Sequence, residues 1–249
     1  MSIIKCKICG GACQSSRNGQ YKCECCGNTF FYEEPSSIQK SMVKPLSDKG
    51  VDVYEKNING VLEIKWSDRK YLHSGSGFLI NYDGYCITNT HVVTSENGQS
   101  CGNVEVKISG ETLSANVVAL GDNKHGSGNG VDLALIKLSR VPFKANVVEF
   151  EDFKNVRIGE SVYVIGNSLG YGTCMTSGIV SDKERNMSGK TLLMTDCAVN
   201  GGNSGGPIFN DRGRVIGAIV SGIDRAEGMN FAIPSSTVLD FIKKNGIRL

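Results

Sequence analysis

Short segments rich in β-branched residues, each bounded by turn signals, recur through most of this chain and restrict its fold more than any other feature. They fall at 75–80, 85–88, 104–108, 115–120 and 133–138, and again at 161–165, 175–180, 192–195, 207–209 and 215–220. Many strands at this spacing predict an all-β sandwich or a pair of barrels. Upstream, Val51, Val53, Tyr54, Ile58, Val61, Leu62 and Ile64 suggest a short helix running into the first strand. Apolar residues at Val238, Leu239, Phe241 and Ile242 predict one C-terminal helix over 235–244, with Ser235 or Ser236 as its N-cap.

Residues 1–34 follow a different logic. Six of the ten cysteines lie in the first 26 positions. Cys6-Lys7-Ile8-Cys9 and Cys23-Glu24-Cys25-Cys26 are two Cys-x2-Cys knuckles separated by thirteen residues, each followed by glycine. Four thiolates at Cys6, Cys9, Cys23 and Cys26 satisfy tetrahedral Zn2+ and predict a closed structural site. A module of about thirty residues buries too little to fold alone, whereas structural zinc supplies ~10–16 kcal/mol. Cys13 and Cys25 fall outside the frame and are spare thiols or substitutes in ligation. The pattern resembles a zinc ribbon, with a structural or protein-docking role expected. Residues 35–50, with two prolines and little apolar periodicity, read as a linker.

Charge is nearly balanced, with 27 Lys+Arg against 25 Asp+Glu, which argues against a nucleic-acid partner. The longest apolar runs are far below the ~20 residues of a membrane span. The N-terminus lacks the apolar core of a signal peptide, and clustered cysteines favour metal binding in a reducing compartment; both predict a cytoplasmic protein.

The stretch Asn200-Gly201-Gly202-Asn203-Ser204-Gly205-Gly206-Pro207 is a costly choice for ordinary structure. Such a turn can present one hydroxyl while aiming backbone N–H groups at the same point, as acyl transfer requires. His91 follows the strand 85–88, in a turn expected to lead into a short helix. Imidazole is the usual general base for serine, because its ordinary pKa lies near the working pH. Asp132 opens the apolar run 133–138, where a partly buried carboxylate needs a partner such as a histidine N–H. Each has a plainer alternative: a Gly/Asn/Ser turn, a hydrogen-bonded loop histidine and a loop-capping aspartate. His73 and His125 lack a comparable frame.

With these residues in this order, the sequence resembles the trypsin-like serine peptidases of chymotrypsin fold, and most closely the HtrA/Deg branch. The matching stretches include Gly75-Ser76-Gly77-Phe78, Thr88-Asn89-Thr90-His91, Asp132-Leu133-Ala134-Leu135, Ile165-Gly166-Asn167, Asn203-Ser204-Gly205-Gly206-Pro207 and Asn230-Phe231-Ala232-Ile233-Pro234. The resemblance covers 51–249 and implies two six-stranded antiparallel β-barrels joined near 140–153. It implies a serine endopeptidase acting on protein or peptide substrates, with Ser204 as nucleophile, His91 as base and Asp132 orienting the imidazole. The N–H groups of Gly202 and Ser204 would form the oxyanion hole. Ala198 would lie at the base of the specificity pocket and Val220, Ser221 and Gly222 along its wall, implying cleavage after small or medium apolar residues.

Two departures from the family pattern matter. Asn203 stands where digestive members carry an aspartate that pairs with a newly cut N-terminus, so activation of that kind is not expected. HtrA proteins usually continue into a PDZ domain, and none is expected here, which leaves the ribbon as a recruiting element for a protein partner. The alternative reading is a catalytically silent peptidase fold that binds through the ribbon.

Overall fold

The computed structural model describes residues 12–15, 20–27, 29–31, 48–68, 71–121, 130–187, 189–222 and 228–249. Cys6, Cys9 and His125 lie outside these. The chain divides into two compact units, Met1–Leu46 and Ser47–Leu249.

In the first unit, β1 (Cys13–Ser15), β2 (Gln20–Cys23) and β3 (Thr29–Phe31) form one antiparallel sheet in that order. Cys13 pairs across the ladder with Cys23, which ends β2 and is buried. The chain then turns tightly, with the N–H of Gly27 donating to Cys23 O at 3.0 Å. Gly27 takes φ +71°, a conformation that glycine adopts without steric cost.

The second unit opens with α1 (Lys49–Asn57), which begins inside the stretch read as a linker. There follow β4 (Val61–Ser67), β5 (Leu72–Leu79), β6 (Tyr85–Thr88), β7 (Asn103–Ile108), β8 (Glu111–Leu120) and β9 (Ala134–Leu138). They close an antiparallel barrel in the order β4-β5-β6-β9-β8-β7.

The remaining strands are β10 (Glu149–Phe150), β11 (Ser161–Asn167), β12 (Thr173–Met187), β13 (Lys190–Thr195), β14 (Pro207–Asn210), β15 (Arg214–Gly222) and β16 (Asn230–Pro234). The sheet runs β10-β15-β14-β11-β12-β13-β16, and β16 also pairs with β15. That last pairing closes six strands into a second ring, with β10 added in parallel outside it. The chain ends in α2 (Ser235–Lys244), where the 3.6-residue apolar period places it.

The apolar runs that betrayed the strands exist because both strand faces are buried. Along β9 and the residue before it, Leu133 and Leu135 face a core shared with Phe78, Ile165 and Phe209. Ala134 and Ile136 face the interior of the first barrel, beside Leu62 and Leu79. In β15, Val215 and Ala218 join the shared core, while Ile216 and Ile219 fill the second barrel. Successive side chains point to opposite faces of a strand, so two buried faces demand a continuous apolar sequence. The shared core locks the two barrels together, and the strand ends that carry His91, Asp132 and Ser204 belong to this locked unit.

The short helix expected after His91 does not form. The segment 90–92 is a pair of tight turns, with Val92 N donating to Asn89 O and Val93 N to Thr90 O. Side chains take over the local hydrogen bonding there, which leaves no helical ladder to propagate.

Candidate functional site

Asp132 and His91 meet although they are 41 residues apart in sequence. The carboxylate is 8% exposed and the imidazole 42%. His91 Nδ1 lies 2.6 Å from Asp132 Oδ2, and the His91 backbone N–H donates to Oδ1 at 3.1 Å. A buried carboxylate accepting on both oxygens selects the tautomer with hydrogen on Nδ1, which leaves a lone pair on Nε2. The loop is braced against the strand by two further bonds. Asn89 Nδ2 donates to Asp132 O and Thr90 Oγ1 donates to Leu133 O, both at 2.7 Å. Trp66 Nε1 holds the other side through Val92 O at 2.7 Å.

Ser204 sits in a turn whose polarity is set by its backbone. Gly201 O accepts from Leu169 N, Asn203 O from Gly206 N, and Ser204 O from Ser76 N. Gly202 O accepts from Ser76 Oγ. Among the described residues, the N–H groups of Gly202 and Ser204 have no acceptor. In a trans peptide, C=O and N–H point in opposite directions, so tying Gly201 O and Asn203 O leaves the Gly202 and Ser204 amides directed away from those bonds. The turn demands glycine at 202: φ is +93°, and a Cβ there would come 2.1 Å from Asn167 O.

The Ser204 hydroxyl donates to Val220 O at 3.2 Å, and no hydrogen bond joins it to His91 among the described residues. Val220 owes its position to a β-bulge, since Ile219 pairs with Ala232 and Ser221 with Phe231, leaving Val220 as the extra residue. Gly222 pairs with Asn230. Ala198 is exposed, and its carbonyl accepts from Thr176 Oγ1 at 2.8 Å. Asn203 is buried, and its Oδ1 has no hydrogen-bond partner among the described residues.

Sequence reasoning passed over Ser76, Asn167 and Leu169 as working parts. The available signal was the alternation Gly75-Ser76-Gly77. A Cβ at Gly75 would strike Val92 Cγ1 at 2.5 Å, and one at Gly77 would strike Ile87 O at 2.7 Å. His73 also has a frame that the sequence did not reveal: it stacks on Trp66 with ring centroids 4.0 Å apart and contacts Asp68 Oδ2 at 3.0 Å. Among the described residues no cluster of His, Cys, Asp or Glu can hold a metal ion; two of the four expected zinc ligands lie outside them.

A β-barrel pair with a histidine–aspartate pair and a serine in a glycine turn defines the class as chymotrypsin-like. Residues 75–217 match the family model described as "Trypsin-like peptidase domain", and the chain belongs to that family. A relative from Rickettsia conorii named "Probable periplasmic serine endoprotease DegP-like" is 37% identical over 85% of this chain and 42% of its own length. One of the same name from Brucella suis is 39% identical over 69% of this chain and 33% of its own. The chain thus spans less than half the length of these curated relatives. A serine endoprotease structure from Yersinia pestis superposes with a TM-score of 0.67 at 26% identity, over 78% of this chain and 65% of that one. Together these matches support the HtrA branch.

The relatives' names also correct the cytoplasmic placement expected from the sequence, since they are called periplasmic. The expectation rested on the N-terminus and on the cysteine cluster at 6–26, whose spacing reports metal-binding chemistry and not the compartment; the cysteines outside the cluster carry no signal either. Burial pushes the Cys197 thiol up to about 11 and raises that of Cys86 as well, so neither is a reactive thiolate in any compartment.

Proposed function

We propose that this chain is a serine endopeptidase acting through His91, Asp132 and Ser204. The observation that carries the reading is the pair of amides, Gly202 and Ser204, without acceptors among the described residues, in a turn that packs through Gly205 against Thr88 and Asn89 of the segment whose histidine a buried carboxylate orients. Rotation of one side-chain bond moves the Ser204 hydroxyl from Val220 O toward His91. Its oxygen then attacks the peptide carbonyl carbon while Nε2 takes the proton, and the carbonyl oxygen becomes the anion that the two amides receive. His91 returns the proton to the leaving amine, and water repeats the sequence on the acyl-enzyme. A fluorophosphonate probe tests this: the wild type is labelled and Ser204→Ala is not, with turnover of the variant down on the order of 10^6. A wild type that resists labelling under all conditions refutes it.

Two finer points belong to the same proposal. The substrate wall formed by Ala198, Val220, Ser221 and Gly222 carries no charge, so cleavage follows small or medium apolar residues such as Ala, Val or Leu. A peptide-library profile dominated by Arg and Lys contradicts that. Asn203 offers no charge to an N-terminal ammonium, so activity does not await a newly cut terminus.

The N-terminal unit holds structural zinc through Cys6, Cys9, Cys23 and Cys26 and serves as a docking element for a protein partner. The donor set suits the ion: Cys23 ends a strand, Cys26 lies in the turn after it, and the N–H of Gly27 folds back to Cys23 O. One zinc per chain by elemental analysis, lost in Cys23→Ser, is the expected outcome; a metal-free folded ribbon argues against it.

A further inference from the structure

The nucleophile turn is held from outside, and one side chain of the other barrel ties its parts together. Ser76 lies on β5 and is fully buried. Its Oγ donates to Gly202 O at 2.7 Å across 126 residues of sequence and accepts from Asn167 N at 2.8 Å. Its N–H donates to Ser204 O at 2.8 Å. Its carbonyl accepts from Thr88 Oγ1 at 2.7 Å. Every polar group of the residue is engaged, and three of the four bonds reach the two segments that wall the oxyanion site.

We infer that Ser76 is a positioning residue for the oxyanion hole, its hydroxyl holding the 202–203 peptide plane that lies between the two planes carrying the Gly202 and Ser204 amides. This rests on the reading of Ser204 as nucleophile. Gly202 has no Cβ to limit its rotation, and its amide keeps its direction only while the flanking planes are held. The plane before it is held by Leu169 N on Gly201 O, and the plane after it at both ends, by Ser76 Oγ on Gly202 O and by Asn203 N on Asn200 O. The same hydroxyl accepts from Asn167 N, two residues before Leu169, so it also anchors the segment that supplies the first restraint. The Ser76 N–H, on Ser204 O, holds the plane after the nucleophile. Any residue but proline could supply that backbone bond; only a small side chain with a hydroxyl supplies the other two. A larger one is excluded by crowding, since Gly166 lies so close that a Cβ there would come 2.8 Å from Ser76 Oγ.

Ser76→Ala deletes the hydroxyl and leaves Gly202 O and Asn167 N unpaired in a buried place. Removing an oxyanion donor outright costs about 10^2–10^3 in kcat. A donor that is present but badly aimed costs less, and kcat falls roughly 10- to 100-fold, with KM within about twofold. The inhibition constant of a peptidyl trifluoromethyl ketone, whose adduct places an oxyanion in the hole, weakens by a similar factor. Ser235→Ala is the control: it deletes another fully buried hydroxyl, bonded to Glu151 O at 3.1 Å and remote from the turn. It loses stability without losing kcat.

Wild-type kcat and inhibitor affinity in Ser76→Ala overturn the assignment, as does an equal loss of kcat in Ser235→Ala. If Ser76→Ala does not fold, Ser76→Cys, of similar size with only a weak donor, is judged by the same criteria. Fluorophosphonate labelling separates the two readings. A labelled wild type beside an unimpaired Ser76→Ala rejects only the role of Ser76, whereas an unlabelled wild type rejects the nucleophile and this role with it.

Discussion

In the first barrel, side chains hold the functional groups in place, whereas in the second the backbone does so. Asp132 and His91 are fixed by Asn89, Thr90 and Trp66, each donating a side-chain hydrogen to a backbone carbonyl nearby. Ser204 is fixed by peptide planes in a turn where Gly202 and Gly205 both take positive φ. The first arrangement tolerates ordinary residues because the bonds come from side chains in standard conformations. In the proposed mechanism the second uses main-chain N–H groups as its chemical donors, so it depends on conformations that a Cβ forbids. Its Gly202 carbonyl is also tied from outside the turn, by Ser76 of the first barrel. The barrels are therefore not independent halves: the one that carries His91 and Asp132 also ties a carbonyl of the turn that carries Ser204 in the other.

The sharpest way to break this contrast lies in the first barrel. Asp132→Asn keeps the shape but reverses the tautomer preference at His91, and kcat falls on the order of 10^4. A drop below tenfold, measured by steady-state hydrolysis of a peptide substrate, would show that backbone bonds alone orient the imidazole.

Next comes the backbone of the second barrel. Gly202→Ala places a Cβ against Asn167 O, the plane turns, and kcat falls about 10^2–10^3 with substrate binding largely retained. Wild-type kcat in a folded Gly202→Ala would remove the argument that this amide is a working donor.

A stability difference follows. Glu151, 4% exposed, receives hydrogen bonds from Asn155, Arg212 and Asn210. Led by the bond from Asn155, these outweigh the cost of burial and bring the carboxyl down to about 2 from its ordinary 4.5. A depressed carboxylate stabilises the fold above its unfolded pKa, and this contribution is lost as pH falls from 4.5 through about 2. The shift corresponds to about 3 kcal/mol. Urea denaturation of wild type and Glu151→Gln therefore shows a gap at pH near 5 that narrows steadily on acidification; a gap constant with pH disproves the linkage.

The smallest effect is expected at the surface of the first barrel. Arg140 and Glu111 form an ion pair with side chains 58% and 39% exposed. Arg140→Ala changes stability by no more than about 1 kcal/mol, as solvent and salt screen such pairs. A larger loss by thermal denaturation would mark this edge as a structural clamp.

Strand interiors were legible because burial on both faces writes itself into composition, as at 133–138 and 215–220. Strand ends were not. β12 runs on to Met187, seven residues past the apolar segment, because its hairpin with β13 continues by backbone pairing that needs no apolar side chains. β5 begins at Leu72, where its ladder with β4 starts rather than where its burial does. β16 contains Asn230-Phe231-Ala232-Ile233-Pro234, which reads as a motif, yet as a strand it closes the second barrel.

What the sequence by itself determined is most of the barrel strands, the terminal helix and the choice of His91, Asp132 and Ser204 as the residues to watch. These depend on local spacing and on residue chemistry, both printed along the chain. Only the tertiary structure decided which carbonyls of the glycine turn are tied, and by what. Hydrogen bonds between groups 126 residues apart leave no periodic trace in the chain, because a buried serine between two glycines looks like any other tight strand until its partner arrives.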